Sequence, residues 1–165
     1  MNGSRRFSWF AEAYGPAACG LLTLVALHFS KATLLPLMAE GKISVENLFS
    51  AIFGWASIQT GCVFAIYGFI AGKTDGFIGE VRHTRSMKRY STYIKRAIIS
   101  GFILTIFSMP LIVWKFDVEA DDNQLFHAIA IWFSVFVWAF LSFTRVAYIF
   151  GLLIRIEDVQ KIPGG

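Results

Sequence analysis

Residues 47–71 read NLFSAIFGWASIQTGCVFAIYGFIA, and residues 72–96, which follow directly, read GKTDGFIGEVRHTRSMKRYSTYIKR. The first segment contains no Asp, Glu, Lys or Arg, and as a helix it is long enough to cross a hydrocarbon core of about 30 Å. The second segment holds seven Lys and Arg residues against two acids. This change in composition predicts a membrane-spanning helix followed by a basic segment that lies outside the bilayer.

Three further apolar stretches accompany this one, and together they set the expected fold. Hydrophobic residues make up 56% of the 165-residue chain and charged residues 16%, whereas a soluble domain carries about 25% charged residues. We therefore predict an all-α integral membrane protein with one domain, residues 1–165, built as a four-transmembrane-helix bundle. The predicted segments are a first span 16–37, a second span 47–71, a basic loop 72–96, a third span 97–116, a fourth span 125–154 and a tail 155–165, with the fourth helix extending beyond the bilayer into the cytosol.

The distribution of charge predicts the orientation of the bundle. With both termini on the side of the basic loop, only Lys31, Lys42 and Lys115 of the 15 Lys and Arg residues fall on the other side. The connection 117–122 on that other side carries four acids. Lys and Arg accumulate on the cytoplasmic side of membrane proteins. The sequence therefore predicts cytosolic termini and a location in a plasma membrane, specifically a bacterial inner membrane.

No motif in the chain indicates catalysis, a metal site or a cofactor. Gly72-Lys73-Thr74 matches the end of a phosphate-binding loop, but that loop requires a glycine five positions before its Gly-Lys pair, where this chain has Tyr67. The two cysteines fall inside predicted spans, where they behave as small apolar residues. We therefore expect a protein that is not an enzyme. A membrane enzyme acting on lipid is a remaining alternative, and it would have to use His83 in the basic loop.

Small residues recur at helical spacing in the second and third spans. Small side chains allow helix backbones to approach closely in lipid. This pattern predicts close helix contacts, either within the chain or between copies, and a chain of this size is expected to form homo-oligomers. The second span carries the stripe Gly54, Ser57, Gly61, Ala65, Gly68 and Gly72; the third carries Ala97, Gly101, Thr105 and Ser108; the candidate packing positions are Gly54, Gly61, Gly68 and Gly101.

The basic loop is the strongest candidate for a binding surface. On a helix, its arginines fall on one stripe and Met87, Tyr90 and Ile94 on the opposite side, so the segment predicts a basic amphipathic helix that continues into the third span. Two interpretations remain open: attraction to anionic lipid of the inner leaflet, or a docking face for a cytosolic protein or an anionic ligand. No motif indicates nucleic-acid binding. The candidate residues are Arg82, Arg85, Lys88, Arg89 and Arg96, together with Arg145 and Arg155 near the inner end of the fourth span.

Polar residues within the predicted spans form the second candidate site. His28 and Lys31 lie one turn apart in the first span, and Gln59 and Thr60 lie at the centre of the second. Polar and ionisable residues at this depth usually face the interior of a bundle or water. In one interpretation Lys31 extends outward and His28 forms a hydrogen bond with Gln59. In the other, the four residues line a pore. No span has a central Asp or Glu, which argues against a proton-coupled pump.

These features lead to two principal hypotheses about function. The first is a non-enzymatic, oligomeric membrane protein that senses or perturbs the envelope and couples to a cytosolic partner through its basic inner face. In architecture, small four-span proteins of this kind resemble the membrane components of prokaryotic defence and stress systems, and the resemblance implies a role in such a system, for example antiviral defence. The alternative is a small homo-oligomeric ion channel, pore or transporter.

Overall fold

The computed structural model describes the backbone of residues 3–74, 76–114 and 123–160, and the side chains of 14–74, 76–114 and 123–155. Within these ranges the regular secondary structure is entirely α-helical. The acidic connection 117–122 and residues 161–165 of the predicted tail lie outside the described residues. The helices are α1 (Gly3–Phe29), α2 (Lys31–Ala39), α3 (Val45–Gly72), α4 (Gly76–Val81), α5 (Arg85–Val113) and α6 (Asn123–Gln160).

Three of these helices are long and apolar enough to cross a membrane. They are α3, α5 and the Asn123–Arg155 part of α6. Residues 14–29 of α1 and the whole of α2 satisfy the same criterion only if the pair, which is bent by 74°, is counted as one span. The dimensions indicate a membrane protein with three or four spans, and the all-helical architecture expected from the sequence is confirmed for the described residues.

The predicted first span, 16–37, differs from the structure because it is divided into two helices. The chain bends after Ser30, whose carbonyl oxygen accepts hydrogen bonds from two N–H groups of the following turn. Pro36 lies inside α2, where it supplies no N–H to the helix. The bend is stabilised by packing, because it brings Leu35 of α2 into a buried cluster with Phe126 and Ala130 of α6. Hydropathy alone carries no information about that contact.

The helices α3 and α5 form the most extensive pair in the bundle. Phe49, Ile52 and Val63 of α3 are each at most 2% exposed. On α5, Gly101 is buried against Thr60 of α3, and a Cβ atom added at Gly101 would overlap with the Thr60 hydroxyl. The missing side chain therefore permits the close approach of these two helices.

The helix α6 is the central element, since it contacts α1, α3, α4 and α5. The helix α1 packs along α6 and approaches it closely at Gly20, where an added Cβ would lie 3.0 Å from the Ser134 carbonyl oxygen and 3.2 Å from Trp138 Cβ. At the far end of α1, His28 lies against His127. As residue numbers rise along α1 they fall along α6, so the two helices are antiparallel.

The outer surface of the bundle is rich in large apolar side chains. Leu22, Phe29 and Ile106 illustrate this with exposed fractions of 66%, 81% and 60%. An apolar surface of this extent marks contact with lipid or with another protein. The interior is mainly apolar but also contains polar side chains, and the buried polar residues are Gln59, Thr60, Ser100, Ser108, Ser134 and Ser142.

Candidate functional site

The basic end of the bundle is the end formed by residues 72–96 and the last turns of α6. Most of the predicted loop is helical. A turn at Gly76, whose φ is +68°, leads into α4. Ile78 of α4 is fully buried in the same apolar cluster as Val146 of α6. Thr84 then caps α5 by accepting a hydrogen bond from the Met87 N–H at 3.3 Å.

Arg82 joins the connection between α4 and α5 to the end of α3. Its Nη2 atom donates a hydrogen bond to the carbonyl oxygen of Ala71 at 2.8 Å. The last carbonyl groups of a helix have no partners within the helix, and cations near a helix C-terminus are stabilising. Arg82 therefore has a structural role in addition to any contact it makes with a ligand. It is half-buried.

The first three turns of α5 form the amphipathic helix that the sequence predicts. Met87, Tyr90 and Ile94 are buried in the core. The cations of these turns are exposed to solvent. Because α5 continues without a break from Arg85 to Val113, this charged segment is part of the same helix as the third predicted span. The exposed cations are Arg85, Lys88, Arg89, Lys95 and Arg96.

Two contacts attach this part of α5 to α6. The Tyr90 hydroxyl donates a hydrogen bond to the Val146 carbonyl oxygen at 2.9 Å. The Arg145 guanidinium stacks on the Tyr93 ring, with Cζ 3.7 Å from the ring centroid. Arg145, a candidate partner residue in the sequence, is thus half-buried against an aromatic ring. Arg155, further along α6, is exposed.

A cavity of about 390 Å³ opens between the end of α3 and the start of α5. Cations and hydroxyl groups line part of it, and apolar side chains line the rest. Lys88 and Lys95 are two turns apart on α5 and both belong to its wall, as does Arg82. The lining residues are Tyr67, Ile70, Ala71, Arg82, Met87, Lys88, Tyr90, Ser91, Thr92, Ile94 and Lys95.

Gln59 lies in the centre of the bundle and links three helices. Its Nε2 atom faces the carbonyl oxygens of Ala97 on α5 and Ala139 on α6, each at 3.4 Å. Its Oε1 atom is buried without a hydrogen-bond partner. The neighbouring Thr60 donates a hydrogen bond to the Ala56 carbonyl oxygen at 2.7 Å. Both polar side chains therefore contact the packed core.

His28 does not form the hydrogen bond with Gln59 that one interpretation of the sequence proposed. Its Nδ1 atom instead lies 3.4 Å from Nε2 of His127 on α6. His127 Nδ1 contacts the Asn123 carbonyl oxygen, which can only accept, so in a neutral ring this nitrogen is the donor and Nε2 accepts from His28. The structure thus pairs His28 with His127, which the sequence did not predict because 99 positions separate them. Lys31 is half-buried at the start of α2.

The small-residue stripes have different environments on the two helices. On α5, Gly101 makes the contact with Thr60 described above. On α3, a Cβ atom added at Gly54, Gly61 or Gly68 would meet no neighbouring atom within 4 Å. These three glycines therefore make no such close contact with the part of the chain that the structure describes. Gly20 of α1 does make a close contact, and its sequence context, an isolated glycine, gave no sign of this.

The basic end and the polar interior thus differ in the chemistry that they offer. The basic end combines exposed cations with a partly polar cavity, which suits anionic groups. Among the described residues, no group of three or more His, Cys, Asp or Glu side chains could hold a metal ion. No protein family model, curated protein or solved structure matches this chain. Any function must therefore be argued from these sites.

Proposed function

We propose that this chain is a non-enzymatic, oligomeric membrane protein whose basic end binds a cytosolic partner and transmits that binding to its membrane-embedded helices. Envelope sensing or perturbation would be the outcome of this coupling. The architectural resemblance to membrane components of prokaryotic defence and stress systems favours a partner from the same system.

The observation that carries the proposal is the continuity of α5. Its exposed arginines Arg85, Arg89 and Arg96 lie on the same unbroken helix as the apolar segment up to Val113. Arginine can bind carboxylate or phosphate groups through two parallel hydrogen bonds. The same turns of α5 are attached to α6 through the hydrogen bond of the Tyr90 hydroxyl. A displacement of α5 caused by binding at the arginines would therefore be transmitted to the apolar segments of both α5 and α6.

The proposed self-association is supported by the outer face of α3. Gly54, Gly61 and Gly68 lie along one side of this helix with open space where a Cβ would stand. A second copy could approach this backbone closely, as α5 approaches α3 at Gly101. The cytosolic position of the basic end and the bacterial inner membrane are proposed from the positive-inside distribution of Lys and Arg.

The pore hypothesis has less support. It requires that His28, Lys31, Gln59 and Thr60 face a common aqueous path. Gln59 is 1% exposed and its amide bridges two backbone carbonyl groups, while His28 is paired with His127 on another helix. These contacts favour structural roles for Gln59 and His28 in the single chain.

Site-specific photocrosslinking in native membranes tests the partner proposal. A crosslinking amino acid at Arg85 should give one discrete adduct larger than the protein, and the same amino acid at Lys42, at the other end of α3, should not give it. Changing both Arg89 and Arg96 to Gln should remove the adduct while leaving the amount of folded protein unchanged. The proposal fails if no adduct forms at Arg85, or if the double variant retains it, because binding would then not depend on this face.

A further inference from the structure

We propose that the cavity between α3 and α5 at the basic end is a binding site for the phosphate headgroup of one anionic phospholipid, whose acyl chains lie along the neighbouring apolar surface of these two helices. This inference does not rest on the proposed function. It assigns a site for one lipid per chain to the cations that line the cavity, Arg82, Lys88 and Lys95. These differ from the exposed arginines of α5 that are proposed to bind a partner.

The charges of the cavity suit a phosphodiester. Lys88, Lys95 and Arg82 line it, and no acidic residue is among its lining residues. Arg82 uses one guanidinium N–H in its bond to Ala71, and a guanidinium carries five such donors. Tyr67 and Ser91 add hydroxyl groups to the wall. Basic pockets between transmembrane helices bind anionic lipid headgroups in this way.

The position of the lysines on α5 separates this site from the proposed partner surface. Lys88 and Lys95 are seven residues apart and therefore share one side of the helix. Arg85, Arg89 and Arg96 lie about 80° further round the helix at 3.6 residues per turn, and none of them lines the cavity. The two groups of cations thus offer different faces.

The cavity also has the apolar continuation that a lipid requires. Seven residues beyond Lys95, on the same side of α5, Phe102 contacts Phe64 of α3, with ring centroids 5.7 Å apart. These two rings are 44% and 46% exposed. Ile70 and Ile94 line the apolar part of the cavity itself. A molecule with an anionic end and a long apolar end therefore matches the order of side chains from Lys88 to Phe102.

The size of the cavity agrees with a headgroup rather than a whole lipid. Its volume of about 390 Å³ lies at the lower end of the range for small-molecule sites. The acyl chains would then be held outside the cavity, in the groove beside Phe64 and Phe102. A free phosphate ion would use the cations but gain nothing from these rings, which is why a lipid is the expected ligand.

Native mass spectrometry of the full chain in detergent tests this site. With phosphatidylglycerol, the wild-type protein should retain one lipid per chain in preference to phosphatidylcholine. The double variant Lys88→Gln, Lys95→Gln should bind phosphatidylglycerol about thirtyfold more weakly, because two cations leave the cavity. The matched variant Arg85→Gln, Arg96→Gln removes the same charge from outside the cavity and should keep wild-type affinity. Equal weakening in both double variants would mean diffuse electrostatic attraction and would overturn the proposal.

Two further measurements keep the test decisive. Inorganic phosphate and glycerol phosphate, added at millimolar concentration, should not displace the bound lipid; if either does, the ligand is a soluble phosphate and the lipid assignment is wrong. A photoactivatable phosphatidylglycerol should crosslink to residues 88–102 of the unmodified protein. Crosslinks spread evenly over α1, α3 and α6 would also refute the site, and this result does not depend on whether any variant folds.

Discussion

Gln59 is a polar residue whose hydrogen-bonding capacity is only partly used in the bundle. Its Nε2 atom faces two backbone carbonyl oxygens at 3.4 Å, a long distance for N–H···O hydrogen bonds, and its Oε1 atom has no partner. Long bonds contribute little, while a buried unpaired oxygen costs about 1–3 kcal/mol. The residue therefore contributes to the arrangement of three helices more than to their stability.

This balance predicts opposite outcomes for two substitutions of similar size. Gln59→Leu removes the long bonds together with the unpaired oxygen, so the free energy of unfolding should stay within about 1 kcal/mol of wild type. Gln59→Glu replaces the donor by a carboxyl group facing two carbonyl oxygens and should cost about 3 kcal/mol or more. Unfolding in mixed micelles, followed by circular dichroism, measures both. Equal losses in the two variants would mean that the amide donor is a major stabilising group.

Of the four glycines predicted to pack closely, Gly101 makes a close contact with another described residue of the chain, and Gly54, Gly61 and Gly68 do not. The reason lies in the side of each helix that meets a neighbour. The face of α3 that carries Ala56, Thr60 and Val63 packs on the core, and the face that carries Gly61 is exposed. Small residues indicate where a helix can be approached, but a partner must be present on that side.

A pair of alanine substitutions tests this difference between α5 and α3. In Gly101→Ala, the new Cβ would overlap with the Thr60 hydroxyl, which is held by its bond to Ala56, so the unfolding free energy should fall by about 1–3 kcal/mol. Gly61→Ala meets open space and serves as the matched control, with little or no loss. Thermal unfolding at a detergent concentration that keeps the chain monomeric measures both. A neutral Gly101→Ala variant would show that the two helices can separate without cost.

The sequence predicted the long helices and the basic amphipathic segment because each depends on local composition. Hydropathy and helical spacing placed the second span at 47–71, and α3 runs Val45–Gly72. The bend after Ser30 and the His28–His127 pair could not be predicted, since each depends on a contact with α6 that is distant in sequence. The cavity likewise requires the register of α3 against α5, so the sequence identified Lys88 as a candidate without separating it from the arginine stripe.

The path of α1 determines whether the bundle has three or four spans. The backbone of α1 covers 27 residues, which corresponds to about 40 Å and exceeds the thickness of the hydrocarbon core. It runs antiparallel to α6, from Gly20 beside Trp138 to His28 beside His127. The helix α6 is long enough to cross the membrane, and its last turns lie at the basic end. Because α1 is antiparallel to α6, we expect α1 to begin on the membrane side where the basic end lies.

Cysteine accessibility labelling tests this prediction after the native Cys19 and Cys62, both exposed, have been replaced by alanine. Single cysteines at Tyr14, Lys42, Arg85 and Arg155 are then labelled from either side of sealed vesicles. We expect the cysteines at positions 14, 85 and 155 to react from the cytosolic side and the cysteine at position 42 to react from the other side. The reason is that four segments would each cross the bilayer once: the pair α1 and α2, then α3, α5 and α6.

The position at Tyr14 distinguishes the two topologies, while Arg85 and Arg155 act as internal controls that should agree in both. If α1 and α2 together form a re-entrant segment, the cysteine at position 14 will react from the same side as the cysteine at position 42. The bundle then has three spans, and its termini lie on opposite sides of the membrane. In that case the cations before residue 14 would face away from the basic end, and the excess of Lys and Arg on one side of the membrane would be smaller. If the cysteine at position 85 reacts only from the external side, the orientation is inverted. No cytosolic partner could then reach Arg85, Arg89 and Arg96.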